Sequence, residues 1–176
     1  PGVFEMAKQA SIQESEGYTN KELGFAKLKA AKTRIEEIMD FADKMHYRRL
    51  GIAFCIGLRQ EAMVVEKIFS SRSFEVVSAI CKVGRLPKAR IGVGKAYHLQ
   101  LDADEEAMCN PILQAMILNK AQTDFNVLLG LCVGHDTLFL KYADAPCTVL
   151  AVKDRLLGHN PLAAVYNADS YYRCLK

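Results

Sequence analysis

Four short runs in which almost every residue is apolar limit what this chain can fold into: Arg49–Gly57, Phe74–Cys81, Asn126–Val133 and Cys147–Val152. None alternates polar with apolar residues as a strand with one wet face must, and continuous apolarity over so few positions marks strands buried on both faces. Segments of helical period lie between them. Residues 58–71 repeat Ala62, Val65, Ile68 and Phe69. Asn110-Pro111 supplies an N-cap and a first-turn proline for a helix reaching about Gln122, and a short helix fits His135–Tyr142. Ahead of the first strand, Leu23, Ala26, Leu28, Ala31, Ile35, Ile38, Met39 and Ala42 recur at helical spacing. They predict one long amphipathic helix from about Tyr18 to Tyr47, with a break near Gly24.

Strands alternating with helices predict a three-layer α/β/α fold. Its sheet is doubly wound and mostly parallel, Rossmann-like or flavodoxin-like, with right-handed crossovers. A length of 176 residues, 51% of them hydrophobic, suits one continuous core. The expected organisation is an N-terminal arm over residues 1–17 and a single α/β domain over residues 18–176. Residues 82–107 carry Gly84, Pro87, Gly92 and Gly94 and show no period. A connection that long is expected to serve function.

Charge and apolar run length exclude several classes of partner. With 23 basic against 20 acidic residues the net charge is +3, too small for a nucleic-acid footprint or for an anionic membrane surface. The longest apolar runs fall far short of the roughly 20 residues that span a bilayer, and no basic-then-apolar leader opens the chain. A soluble, cytoplasmic protein is expected. The chain opens at Pro1 rather than at a methionine, as a piece of a longer protein would. Its six cysteines lie mostly in strand-like runs of a chain large enough to fold without staples, which points to reduced thiols.

In open parallel sheets, ligands bind where loops leave the carboxyl ends of the strands. Cys55, Cys81 and Cys132 stand at the ends of the first three strands, and Cys109 immediately precedes the Asn110 cap. Four thiolates at one edge are the ligand set for tetrahedral zinc or for an iron–sulfur cluster. His135, three residues after Cys132, is a further donor or a supporting partner. Helix N-termini beside Cys55 and Cys109 favour the thiolate form. Against this stands the bland alternative that a cysteine in an apolar strand is core filler. No CxxC pair occurs, so the usual zinc-ribbon spacing is absent. Cys147 begins a strand at the opposite edge and Cys174 lies in the tail, both as structural residues.

Supporting polar residues fall where the same edge is expected. Asp136 follows His135, and Lys153 and Asp154 follow the fourth strand with His159 and Asn160 just beyond. A histidine beside a carboxylate suits acid–base work or metal support, although Asp136 and Asn160 equally suit helix capping. Arg59 near a helix start can bind an anion, though a solvated arginine is the commoner case. Gly92-Val-Gly94-Lys95 is not a P-loop, because Ala89 and Ala96 stand where glycine and Ser or Thr are required. GxGxxG, HExxH and GxSxG are absent as well. His46 and His98 are expected at the surface.

The strings Phe54-Cys-Ile-Gly-Leu58, Cys109-Asn-Pro111, Gly130-Leu-Cys-Val-Gly-His-Asp136, Val152-Lys-Asp-Arg155 and Gly158-His-Asn-Pro161 resemble the DUF1847 family over about Glu16 to Tyr172. That family comprises bacterial and archaeal proteins of unknown function described as metal-binding. The resemblance implies a metal site and supplies no reaction. It also implies a cysteine-rich segment ahead of the matched region, which these 176 residues do not include. A metal site built partly from that segment would be incomplete here.

The expected function is therefore metal binding, zinc first and an iron–sulfur cluster second, on Cys55, Cys81, Cys109 and Cys132 with His135. One alternative is a thiol-dependent enzyme using Cys132 and His135 on a small anionic substrate. Another is a module that binds a metabolite without chemistry. Metal identity, strand order and oligomeric state are not legible in the sequence.

Overall fold

The computed structural model describes residues 2–176. Its centre is a four-stranded sheet of β3 (Arg49–Phe54), β4 (Glu75–Ile80), β5 (Phe125–Leu129) and β6 (Cys147–Ala151), all parallel, in the order β4-β3-β5-β6. The connections are α3 (Arg59–Ser71), α4 (Pro111–Lys120) and α5 (His135–Tyr142). From β3 the chain moves outward to β4 and then returns past β3 to β5. The winding therefore reverses between β3 and β5, where parallel sheets open a crevice at the carboxyl ends.

Why both faces are covered follows from strand parity. Leu50, Ile52, Phe54, Val127 and Leu129 face one side and pack with Ile38, Met39 and Ala42 of α2 (Arg34–Lys44) and with Ala62, Val65 and Phe69 of α3. Ala53, Ala79 and Leu128 face the other, against Ala115 and Leu118 of α4 and Phe139 of α5. Phe69 and Phe139 are fully buried, each contributing about 2–3 kcal/mol by removal from water. The second face is lined by small residues, which lets α4 come close. A Cβ on Gly51 would strike the Asn126 side chain, with a Leu118 methyl 2.8 Å away. Three-layer α/β/α architecture is thus observed, and among the described residues no helix is long and apolar enough to cross a membrane.

The N-terminal region departs from expectation. The long helix over 18–47 is confined to α2, Arg34–Lys44. A capping box sets its start: the Thr33 hydroxyl and amide both donate to Glu36 Oε2, at 2.6 and 2.7 Å. Upstream, Gly24 adopts φ +87°, and Leu23 and Phe25 are exposed, so the apolar stripe finds no surface to bury against. That stretch instead forms the two-residue strands β1 (Tyr18–Thr19) and β2 (Lys29–Ala30), paired antiparallel. Residues 3–16 of the expected arm form helix α1 (Val3–Glu16), which docks on α2. There Lys44 Nζ reaches Gln13 Oε1 at 2.8 Å and Glu16 Oε2 at 2.7 Å. Beyond β6 come the five-residue helix α6 (Leu162–Tyr166) and a single 3-10 turn at Arg173–Leu175.

Residues 82–107 form an irregular loop zipped at its base rather than a loose connection. The amides of Asn110, Met108 and Lys88 donate to the carbonyls of Cys81 (2.6 Å), Leu86 (2.8 Å) and Glu106 (2.8 Å). Inside it the buried Glu106 carboxylate pairs with the Lys88 ammonium at 2.9 Å and accepts the amides of Leu99 and Gln100 at 2.5 and 3.2 Å. His98, expected at the surface, is half-buried in the same loop, whereas His46 is exposed.

Candidate functional site

β3 and β4 end in register, Phe54 beside Ile80, so the next residues, Cys55 and Cys81, leave the sheet side by side. Strand alternation puts both sulfurs on the side of Ala53 and Ala79, the face that α4 covers. Cys109 enters from the start of α4. Asn110 Oδ1 caps that helix by accepting the Leu113 amide at 3.0 Å, and the Asn110 amide donates to the Cys81 carbonyl at 2.6 Å. Three sequence-distant thiols thereby become neighbours, with Cys81 close enough to both Cys55 and Cys109 to shift the ionisation of each. All are free, with Cys55 and Cys81 buried and Cys109 half-buried.

Backbone N–H groups also turn toward the sulfurs. The Ile56 amide donates to Cys81 Sγ at 3.2 Å, and the Gly57 amide beside Cys55 favours the thiolate form of that residue. Gly57 leaves room for a cation and a thiol: a Cβ there would lie 3.7 Å from Lys153 Nζ and 3.9 Å from Cys55 Sγ. The cluster ionises in a definite order. A hydrogen bond from Cys81 outweighs burial at Cys109, and with help from Lys82 it lowers that thiol to about 7. Cys81, beside Cys109, is pushed up, and Cys55, beside Cys81 and desolvated by burial, is pushed up as well. One negative charge is thus shared along a row that ends at the least buried sulfur.

Cys132 lies outside that row. The third strand stops at Leu129, earlier than expected, and Gly130 turns at φ +66°. Cys132 therefore sits in the following loop, where its sulfur accepts Arg155 Nη2 at 2.9 Å and its carbonyl caps α5 through the amides of His135 and Asp136. Its electrostatic effect still reaches Cys109. Among the described residues no group of three or more His, Cys, Asp and Glu side chains stands in an arrangement that could hold a metal ion.

The remaining predicted residues have local tasks. His135 begins α5, and Asp136 Oδ1 accepts the adjacent Thr137 amide at 2.7 Å. Asp154 Oδ1 accepts the amides of Leu156 and Leu157 while His159 Nδ1 accepts the amide of Asp154 at 3.1 Å, so this pair ties one turn together. Arg59 and Asn160 are exposed. Cys147 begins the far edge strand and borders a cavity of about 490 Å³ shared with Gln13, Arg34 and Phe125.

Two residues that matter were not singled out from the sequence. Gln114 is fully buried, and its Nε2 donates to the carbonyls of Phe54 (3.2 Å) and Ala79 (2.7 Å), strapping together the ends of β3 and β4 just before Cys55 and Cys81. Its signal was a polar residue on the buried stripe of Pro111, Ala115 and Leu118. Lys82, beside Cys81 in the chain, gave no signal.

Fold and site together define a doubly wound α/β protein with a row of free thiols at the reversal of its sheet. The chain belongs to the DUF1847 family, described as proteins of unknown function, which residues 2–150 match. This range begins earlier than the resemblance read from the sequence and leaves the 152–161 strings outside it. The chain is also 50% identical over 141 residues to an uncharacterized protein of Methanocaldococcus jannaschii (MJ0455), covering 80% of this chain and 69% of the relative.

Proposed function

We propose that the thiol row is a soft-metal site in which Cys55, Cys81 and Cys109, joined by Cys132, hold zinc or, alternatively, an iron–sulfur cluster. The gathering of Cys55, Cys81 and Cys109 at the ends of β3 and β4 and the start of α4, near enough to perturb one another, carries this reading. Sulfur donors, N–H···S bonds and neighbouring cations are the chemistry that soft ions and their anionic thiolate shells require. Binding replaces the thiol protons, so the contacts that now string the sulfurs together are given up to the ion. Zinc would tie the ends of β3, β4 and α4 to one centre, and an iron–sulfur cluster would add electron transfer. Lys82, Lys153 and Arg155 offset the negative charge of the thiolates.

Elemental analysis of protein purified without air tests the proposal. About one equivalent of a transition metal, lost in Cys81→Ser, is the expected result; under about one-tenth of an equivalent overturns it. A visible absorption band selects iron–sulfur over zinc.

One observation favours a second reading, a thiol-dependent enzyme acting on a small anion. The Cys109 thiol is lowered to about 7, with Lys82 among the causes, so the nucleophile in this reading is Cys109 rather than the Cys132–His135 pair. A single fast-alkylating thiol in metal-free protein, mapped to Cys109, distinguishes it.

A further inference from the structure

We infer that Cys81 and Cys109 form a reversible disulfide that locks the loop 82–108 at its base, made by exchange with a low-molecular-weight disulfide. The two cysteines bracket this loop, and their thiols are near enough to shift each other's ionisation. Their backbones already run side by side, since the Asn110 amide donates to the Cys81 carbonyl at 2.6 Å. That bond, made by the residue next to Cys109, brings the two backbones to hydrogen-bonding distance, the close approach that a disulfide requires.

Access sets the order of events. Cys81 is 3% exposed and Cys109 is half-buried, so a small oxidant meets Cys109 first. Cys81 is then the thiol to resolve the adduct, because its carbonyl is bonded to the amide of the residue next to Cys109. The Cys109 sulfur, its proton passed to solvent, attacks one sulfur of R–S–S–R, forming a Cys109–S–S–R bond and releasing RS⁻. The Cys81 sulfur, likewise deprotonated, attacks the Cys109 sulfur, forming the internal disulfide and releasing the second RS⁻. The protein pair loses two electrons, the oxidant gains them, and the two thiolates take up the two protons.

The loop has little apolar anchorage of its own. Ile91, Tyr97, Leu99 and Leu101 are exposed, and the base bonds with the Glu106 centre hold it. A covalent base removes the opening that begins by parting Cys81 from Asn110. This use of the sulfurs excludes metal binding, so it is tested on metal-free protein and stands whether or not the metal reading does.

Reduced, metal-free chain is incubated with oxidised glutathione, then mapped by peptide mass without reductant and digested with trypsin, for which Arg90 and Lys95 are exposed sites in the loop. The expected result is a linked Cys81–Cys109 peptide pair and loop cleavage slowed about fivefold, as suppressed local opening implies, with full recovery in dithiothreitol. Cys81→Ser should stop at the glutathione adduct on Cys109, and Cys174→Ser should behave as the parent. A bond mapped to Cys55–Cys81, a lasting Cys109 adduct in the parent chain, no oxidation of either cysteine, or a linked pair with unchanged cleavage overturns the proposal.

Discussion

The Ile56 amide donates to Cys81 Sγ at 3.2 Å, so the turn that leaves β3 is fastened to the cysteine that leaves β4. The sulfur is therefore a structural acceptor before any ligand arrives. Perturbing the frame around it should show first in thiol chemistry and only second in stability.

Gln114→Leu is the sharpest case. The substitution removes the donor to the Phe54 and Ala79 carbonyls, but it also removes Gln114 Oε1, which has no hydrogen-bond partner among the described residues. The two effects oppose, so the stability loss should be modest, about 1 kcal/mol. Alkylation of Cys55 and Cys81 should nevertheless speed up several-fold, as mass spectrometry of timed iodoacetamide labelling would record.

Cys109 should alkylate with a pH midpoint of about 7, the rate rising as pH rises. Its value lies below the ordinary 9.0, so ionised Cys109 stabilises the fold, and that contribution fades as pH falls through about 7. Cys81→Ala removes the largest cause and should move the midpoint up toward 9.0.

Glu106 governs the loop in acid. The Lys88 ion pair above all, with the amides of Leu99 and Gln100, holds its carboxyl near 2 against an ordinary 4.5. Stability from this group is complete above about 4.5 and is lost as pH falls toward 2. Hydrogen exchange of residues 86–106 should accelerate across that window before the sheet amides do, and Glu106→Gln should show the faster exchange at neutral pH.

Gly51→Ala tests the close approach of α4 to the sheet. The added methyl meets the Asn126 side chain, whose Oδ1 is already engaged by Thr123 Oγ1 at 2.8 Å, and a Leu118 methyl. Overpacking of this kind costs about 1–3 kcal/mol and should lower the urea midpoint without changing the slope of the transition.

Local chemistry alone determined the strands, the capped helix after Asn110 and the helix from His135 to Tyr142, because apolar runs, N-caps and helical period act over a few residues. It also placed Cys55 and Cys81 at strand ends. The capping box at Thr33 and Glu36 was legible too, and it outranked the apolar period that suggested one helix from Tyr18. Tertiary structure decided the rest. The order β4-β3-β5-β6 sets Cys55 against Cys81, the return of α4 brings in Cys109, and the early end of β5 leaves Cys132 with Arg155. No short window of sequence holds these relations. Which strands pair, and where each stops, depends on how two faces of one sheet are buried at once, and that is a property of the whole core.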